Sequence, residues 1–76
     1  MPAIMEPIPF DLHGDHITLD ALLKATGQAS SGGAAKVVIA AGAVYVNGEA
    51  ERRRGRKLRA GDVVTLDARQ VRLRAA

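Results

Sequence analysis

The chain has no cysteine and no tryptophan, one phenylalanine, one tyrosine, and three prolines that all fall within its first nine residues. Without cysteine there is no disulfide framework, no thiolate metal site and no thiol nucleophile. With so few aromatic rings, a platform that reads single-stranded bases by serial stacking is not expected. No apolar run approaches the roughly 20 residues that cross a bilayer as a helix. The first residues carry Glu6 and Asp11 in place of the basic start and apolar core of a secretory signal. The expected location is therefore cytoplasmic, with no membrane partner. The most telling absence is local: from Arg52 to Arg59 there is no carboxylate among six cations, Arg52, Arg53, Arg54, Arg56, Lys57 and Arg59.

What is present bounds the fold. A chain of 76 residues makes one domain that buries only about 60% of its unfolded surface, so the core is small and leaves little room for a deep substrate cavity. Hydrophobic residues at 47% and charged residues at 25% exclude wholesale disorder. The net charge of +3 hides a division: residues 1–31 carry a surplus of acid, whereas residues 32–76 hold ten of the eleven Lys and Arg. Such asymmetry points to a polyanionic partner.

Taken in order, the three prolines keep residues 1–9 from forming a sustained helix. Phe10 and Leu12 then alternate with Pro9 and Asp11 as in a short edge strand, with Phe10 expected in the core. Residues 1–16 read as an N-terminal extension and 17–76 as the domain proper. Thr18 is the expected cap of a helix reaching about Thr26, with Asp20 in its first turn and Leu19, Leu22 and Leu23 on one face. Gly27 stops it. Ser30 or Ser31 caps a second helix from about Gly32 to Ala41, ended by Gly42, with Ala35, Val38 and Ile39 inward. Val44 and Val46 face the core from a strand, and Asn47-Gly48 is a strong signal for a two-residue hairpin turn. The return strand is expected from Glu49 to about Arg53, with a bend at Gly55. Leu58 re-enters the core, and Val64, Leu66, Val71 and Leu73 point inward from two further strands. The order predicts a single-core α+β domain.

Several constellations bear on function. Arg presents a planar fork that matches phosphate oxygens, and five of the six clustered cations are Arg. Glu49 and Glu51 can pair with two of them at most. A solvated strand, an anionic lipid face or an acidic protein partner are the competing readings, and nucleic acid fits best because the cluster falls within a folded hairpin. The second helix begins with Gly32-Gly33, has no acid in its first turn and carries Lys36 soon after. That leaves its free N–H groups open to an external phosphate; equally, the two glycines could serve close packing of the helices. Tyr45, if it points away from the core, could stack on a base, or it could simply cover aliphatic stems. Asp11, His13, Asp15 and His16 read as loop chemistry rather than a metal site, since no other His or Cys is available. Gly33 stands where a phosphate-binding P-loop would need its lysine. No nucleophile–base grouping or paired carboxylate is apparent, so the chain is not read as an enzyme and no cofactor is expected.

Together these residues resemble the RNA-binding domain first seen in the fourth small-subunit ribosomal protein, the S-four or αL motif. The resemblance is carried by Leu19-x-x-Leu22-Leu23-Lys24 and then by Ser31-Gly32-Gly33-x-Ala35-Lys36-x-x-Ile39-x-x-Gly42-x-Val44-x-Val46-Asn47-Gly48. It continues through Arg54-Gly55-Arg56-Lys57-Leu58 and Gly61-Asp62-x-Val64. Size and signature are most similar to the small stand-alone bacterial members, the YbcJ-like family. The resemblance implies an αL fold, two helices packed on a small antiparallel sheet of three to five short strands. It also implies RNA contacts from Ser31, Gly32, Gly33 and Lys36, and from Asn47, Arg52, Arg53, Arg54, Arg56 and Lys57. Larger members attach this domain to catalytic domains; none is expected here, so the resemblance does not carry their activities over. The expectation is a monomer that binds structured RNA such as rRNA or tRNA, with a ribosomal or other protein partner possible. The alternative is an adaptor whose basic face docks on an acidic protein.

Overall fold

The computed structural model describes residues 7–76; the expectations for the first six residues, including Glu6, lie outside them. Seven strands and two helices follow one another as β1 (Ile8–Leu12), β2 (Ile17–Thr18), α1 (Leu19–Ala25), α2 (Gly32–Ala40), β3 (Val44–Val46), β4 (Glu49–Ala50), β5 (Lys57–Leu58), β6 (Val63–Leu66) and β7 (Arg69–Ala75). The main sheet has five strands in the order β1-β7-β6-β3-β4, and β2 and β5 form a separate pair. The core draws on the predicted positions. Leu19, Leu22 and Leu23 from α1 and Ala35 and Ile39 from α2 are buried against Val44, Val46, Leu58, Val64, Leu66, Val71 and Leu73. Both helices therefore cover the same face of the main sheet, and alternation along each strand turns every second residue to the other face.

The turns behave as their residues dictate. Asn47 and Gly48 have φ of 53° and 86°, the two positive values that a type I′ turn requires. The Asn47 amide then locks the neighbouring strand: its Oδ1 accepts from Val63 N at 2.9 Å and its Nδ2 donates to Asp62 at 3.1 Å. Asp62 in turn accepts from Arg59 N at 2.8 Å.

Three features differ from the sequence reading. The edge strand β1 runs parallel to β7, with Phe10 opposite Leu73, so the sheet is mixed; Phe10 is half-buried and packs against the core rather than within it. The parallel pairing joins the two ends of the described chain, which no local signal can announce. The return strand β4 ends at Ala50, well short of Arg53. Finally, the Thr18 side chain makes no capping hydrogen bond to α1. The first turn of that helix takes its partners from a distant part of the chain.

Candidate nucleic-acid interface

The arginine segment is a loop, and a single carboxylate organises it. Pairing across the two-residue turn sets Val46 opposite Glu49 and Tyr45 opposite Ala50, and Glu51 N still donates to Val44 O at 2.9 Å. That register turns Glu51 toward the buried face, where it is only 6% exposed. Its carboxylate accepts from Arg53 N at 3.2 Å, from Arg53 Nε and Nη2 at 3.1 Å each, and from Arg56 Nη1 at 2.9 Å. The backbone contact bends the chain out of the sheet, which is why β4 is short. Hydrogen bonds from Arg53 and then Arg56 hold the Glu51 carboxyl down at about 2, against the desolvation that burial imposes.

The same loop supplies the missing cap of α1. Leu19 N donates to Arg56 O at 2.9 Å and Asp20 N to Arg54 O at 3.1 Å, so two amides that would otherwise lack partners are satisfied by the arginine backbone. With carbonyls fixed in this way and two guanidinium groups held by Glu51, the remaining side chains project outward. Arg52, Arg54, Lys57 and Arg59 are exposed and make no ion pair among the described residues. Arg53 keeps 77% of its side chain accessible even while paired. Arg52 leans toward the end of α2: a Cβ on Gly42 (φ 77°) would lie 3.0 Å from its Nε. A cation there suits the negative end of the helix dipole.

The start of α2 is a different kind of site. Ser31 caps it, its Oγ accepting from Ala34 N at 3.1 Å. Gly32 and Gly33 are exposed, and no acid lies in the first turn. Close helix packing does not demand either glycine. A Cβ on Gly32 would meet only Lys24 Cδ at 4.0 Å, and one on Gly33 only Ser31 Oγ at 3.8 Å. Lys36 stands exposed one turn further on. The arginine loop lies where α1 begins and α2 ends, whereas Gly32-Gly33 lies at the other end of the helix pair. The length of α1, about 10 Å at 1.5 Å per residue, separates them. The structure thus brings Arg52, Arg53, Arg54, Arg56 and Lys57 together and sets Ser31, Gly32, Gly33 and Lys36 apart as a second group. Asn47 sits in the hairpin turn with both ends of its amide engaged by the fold.

Sequence reasoning missed Glu51 as an anchor. The signal was present: once Asn47-Gly48 is taken as a two-residue turn, counting back places residue 51 opposite buried Val44.

Comparison with known proteins agrees with this architecture. The S4 domain family matches residues 10–74, and the chain belongs to it. A curated relative, the probable ribosome maturation protein RlbA of Bacillus subtilis (strain 168), is 42% identical over 59 residues, covering 78% of this chain and 83% of the relative. The solution structure of YbcJ from E. coli, described as revealing an αL motif involved in RNA binding, superposes with a TM-score of 0.71 at 34% identity, over 99% of this chain and 96% of that one.

Proposed function

We propose that this domain binds structured RNA in the cytoplasm as a non-enzymatic, monomeric module, gripping the phosphate backbone at two places. Arg52, Arg53, Arg54, Arg56 and Lys57 contact one run of phosphates from the loop. Lys36, with the exposed amides of Gly32 and Gly33 and the cap at Ser31, receives another about a helix length away. Asn47 holds the hairpin register from which the loop departs. The observation that carries the reading is the loop itself: arginines crowded beyond what solvation favours, yet held in place by one buried carboxylate and by hydrogen bonds to α1. Two phosphate positions set by rigid elements suit a folded RNA, whose backbone geometry is fixed, better than a flexible strand. The RNA-binding description of YbcJ and the ribosome maturation name of RlbA support RNA over DNA and favour rRNA or another ribosome-associated RNA.

The test is binding of a structured RNA fragment across a salt series. With about five phosphates neutralised, log K falls against log[salt] with a slope of roughly −3 to −5. Replacing Arg53, Arg54 and Arg56 by Ala weakens different RNAs to similar extents, because phosphate contacts carry no sequence. A flat salt dependence, or copurifying protein that survives nuclease treatment while RNA binding is absent, overturns the reading in favour of an acidic protein partner.

A further inference from the structure

The helices cover one face of the main sheet, and among the described residues no element covers the other. Cα partners place Tyr45, Thr65 and Gln70 in one row across β3, β6 and β7, with Ala50 of β4 at its end. The next row holds Val63, Arg72 and Pro9, and the one beyond it Arg74 and Asp11. These positions alternate with buried Val44, Val46, Val64, Val71 and Leu73, so they face away from the helices. Tyr45 is 44% exposed although it sits on an interior strand. Arg72 is exposed and makes no ion pair among the described residues; Arg74 pairs with Asp11, the one carboxylate in these rows. Beside them, Pro7, Pro9, Arg72 and Arg74 line a shallow groove of about 580 Å³.

The chemistry of this face fits a nucleotide. An accessible aromatic ring offers a stacking surface to any base, Thr65 and Gln70 beside it offer a hydroxyl and an amide, and the Arg fork matches a phosphate. Tyr45 and Arg72 lie two strands and two residues apart, about 12 Å between Cα atoms by strand geometry, which a short extended stretch of one nucleic-acid strand covers. Bases inside a duplex are stacked on each other and cannot lie on the ring, so the occupant is single-stranded. β4, at the end of the Tyr45 row, runs directly into the arginine loop, so the open face and the loop adjoin at one edge of the sheet. We propose that the open sheet face binds a single-stranded segment of RNA, one base stacked on Tyr45 and a nearby phosphate held by Arg72 in the groove beside Arg74. The inference rests on the RNA-binding reading above and extends it from a phosphate grip to recognition of a helix–single-strand junction.

Tyr45 is the sole tyrosine and tryptophan is absent, so intrinsic emission of the full chain reports this ring. The chain is titrated with a single-stranded oligouridylate of about eight nucleotides, within the usual site size of small single-strand binders, and separately with a blunt RNA duplex. The strand is expected to quench the emission saturably and the duplex to leave it unchanged. Affinities are read from the anisotropy of end-labelled RNA, because variants at Tyr45 lack the emitting ring: Tyr45→Ala weakens strand binding about 10-fold, as loss of one stacked base does, and Tyr45→Phe keeps most of it. Arg72→Ala weakens it several-fold and reduces the salt slope by about 0.7. Arg54→Ala with Lys57→Ala does the reverse, weakening the duplex while quenching by the strand persists. A strand that binds without quenching, or equally well to Tyr45→Ala, overturns the proposal. Emission that changes with protein concentration alone assigns the face to a second copy and overturns it too. If the duplex binds and the strand does not, only the open-face proposal falls; if neither binds, the RNA-binding reading falls with it.

Discussion

The two helices begin in opposite ways. At α1 the first amides are taken by the carbonyls of Arg54 and Arg56, and Asp20 adds a negative charge whose Oδ1 accepts from Ala21 N at 2.9 Å. At α2 the serine cap satisfies Ala34 and the two exposed glycines that follow carry neither acid nor bulk. The same backbone feature, a helix N-terminus with its partial positive charge, is used up in one place and left open in the other. The first makes the fold hold the arginine loop; the second is available for an anion. A helix start thus says little about binding until its hydrogen bonds are traced.

Substitutions at the two ends should separate these roles. The largest effect is expected at Glu51, which links the loop to the core. Glu51→Ala removes bonds to two partly solvated guanidinium groups and lowers stability by about 2 kcal/mol in urea unfolding. It also weakens RNA binding although the net charge becomes more positive; tighter binding would show that the loop needs charge and not order. Acid gives a related reading. Because the folded Glu51 carboxyl titrates at about 2 and the unfolded one near 4.5, its contribution is complete above pH 4.5 and is lost as pH falls toward 2. Thermal melts over that range should therefore fall more steeply in the wild type than in Glu51→Gln.

At α2, Gly33→Asp meets no obstruction and places a negative charge in the first turn. Stability rises by about 1 kcal/mol, while affinity for structured RNA falls about 5-fold. If both quantities rise together, this helix start is not a phosphate site. The smallest effect belongs to α1, where Asp20→Asn costs about 0.5 kcal/mol and leaves RNA affinity unchanged, since that end is already occupied.

Much of this was legible in the chain. The periodicity of Leu19, Leu22 and Leu23, the serine and glycine boundaries of α2, and the alternation of Val44 with Val46 and of Val71 with Leu73 all depend on neighbours within a few residues. So does the Asn47-Gly48 turn. The grouping of arginines was equally plain. What escaped was their setting. A run of Arg beyond a hairpin reads naturally as a continued strand, and only the inward turn of Glu51 shows that the chain must leave the sheet there. Thr18 does stand at the cap position of α1, but its side chain makes no capping bond, and what serves the α1 amides in its place lies more than thirty residues away in sequence.

The sequence by itself determined the helices, the turns, the core positions and the presence of one strongly basic segment, because these follow from short-range periodicity, backbone preference and composition. The tertiary structure alone decided how the basic segment is held, how far it lies from Gly32-Gly33, and that β1 closes the sheet in parallel beside β7. Tyr45 owes to it in the same way its place in a row with Thr65 and Gln70, near Arg72. Each of these is a relation between residues remote in the chain, set by which hydrogen-bonding groups and apolar faces remained to be satisfied once the local elements had formed.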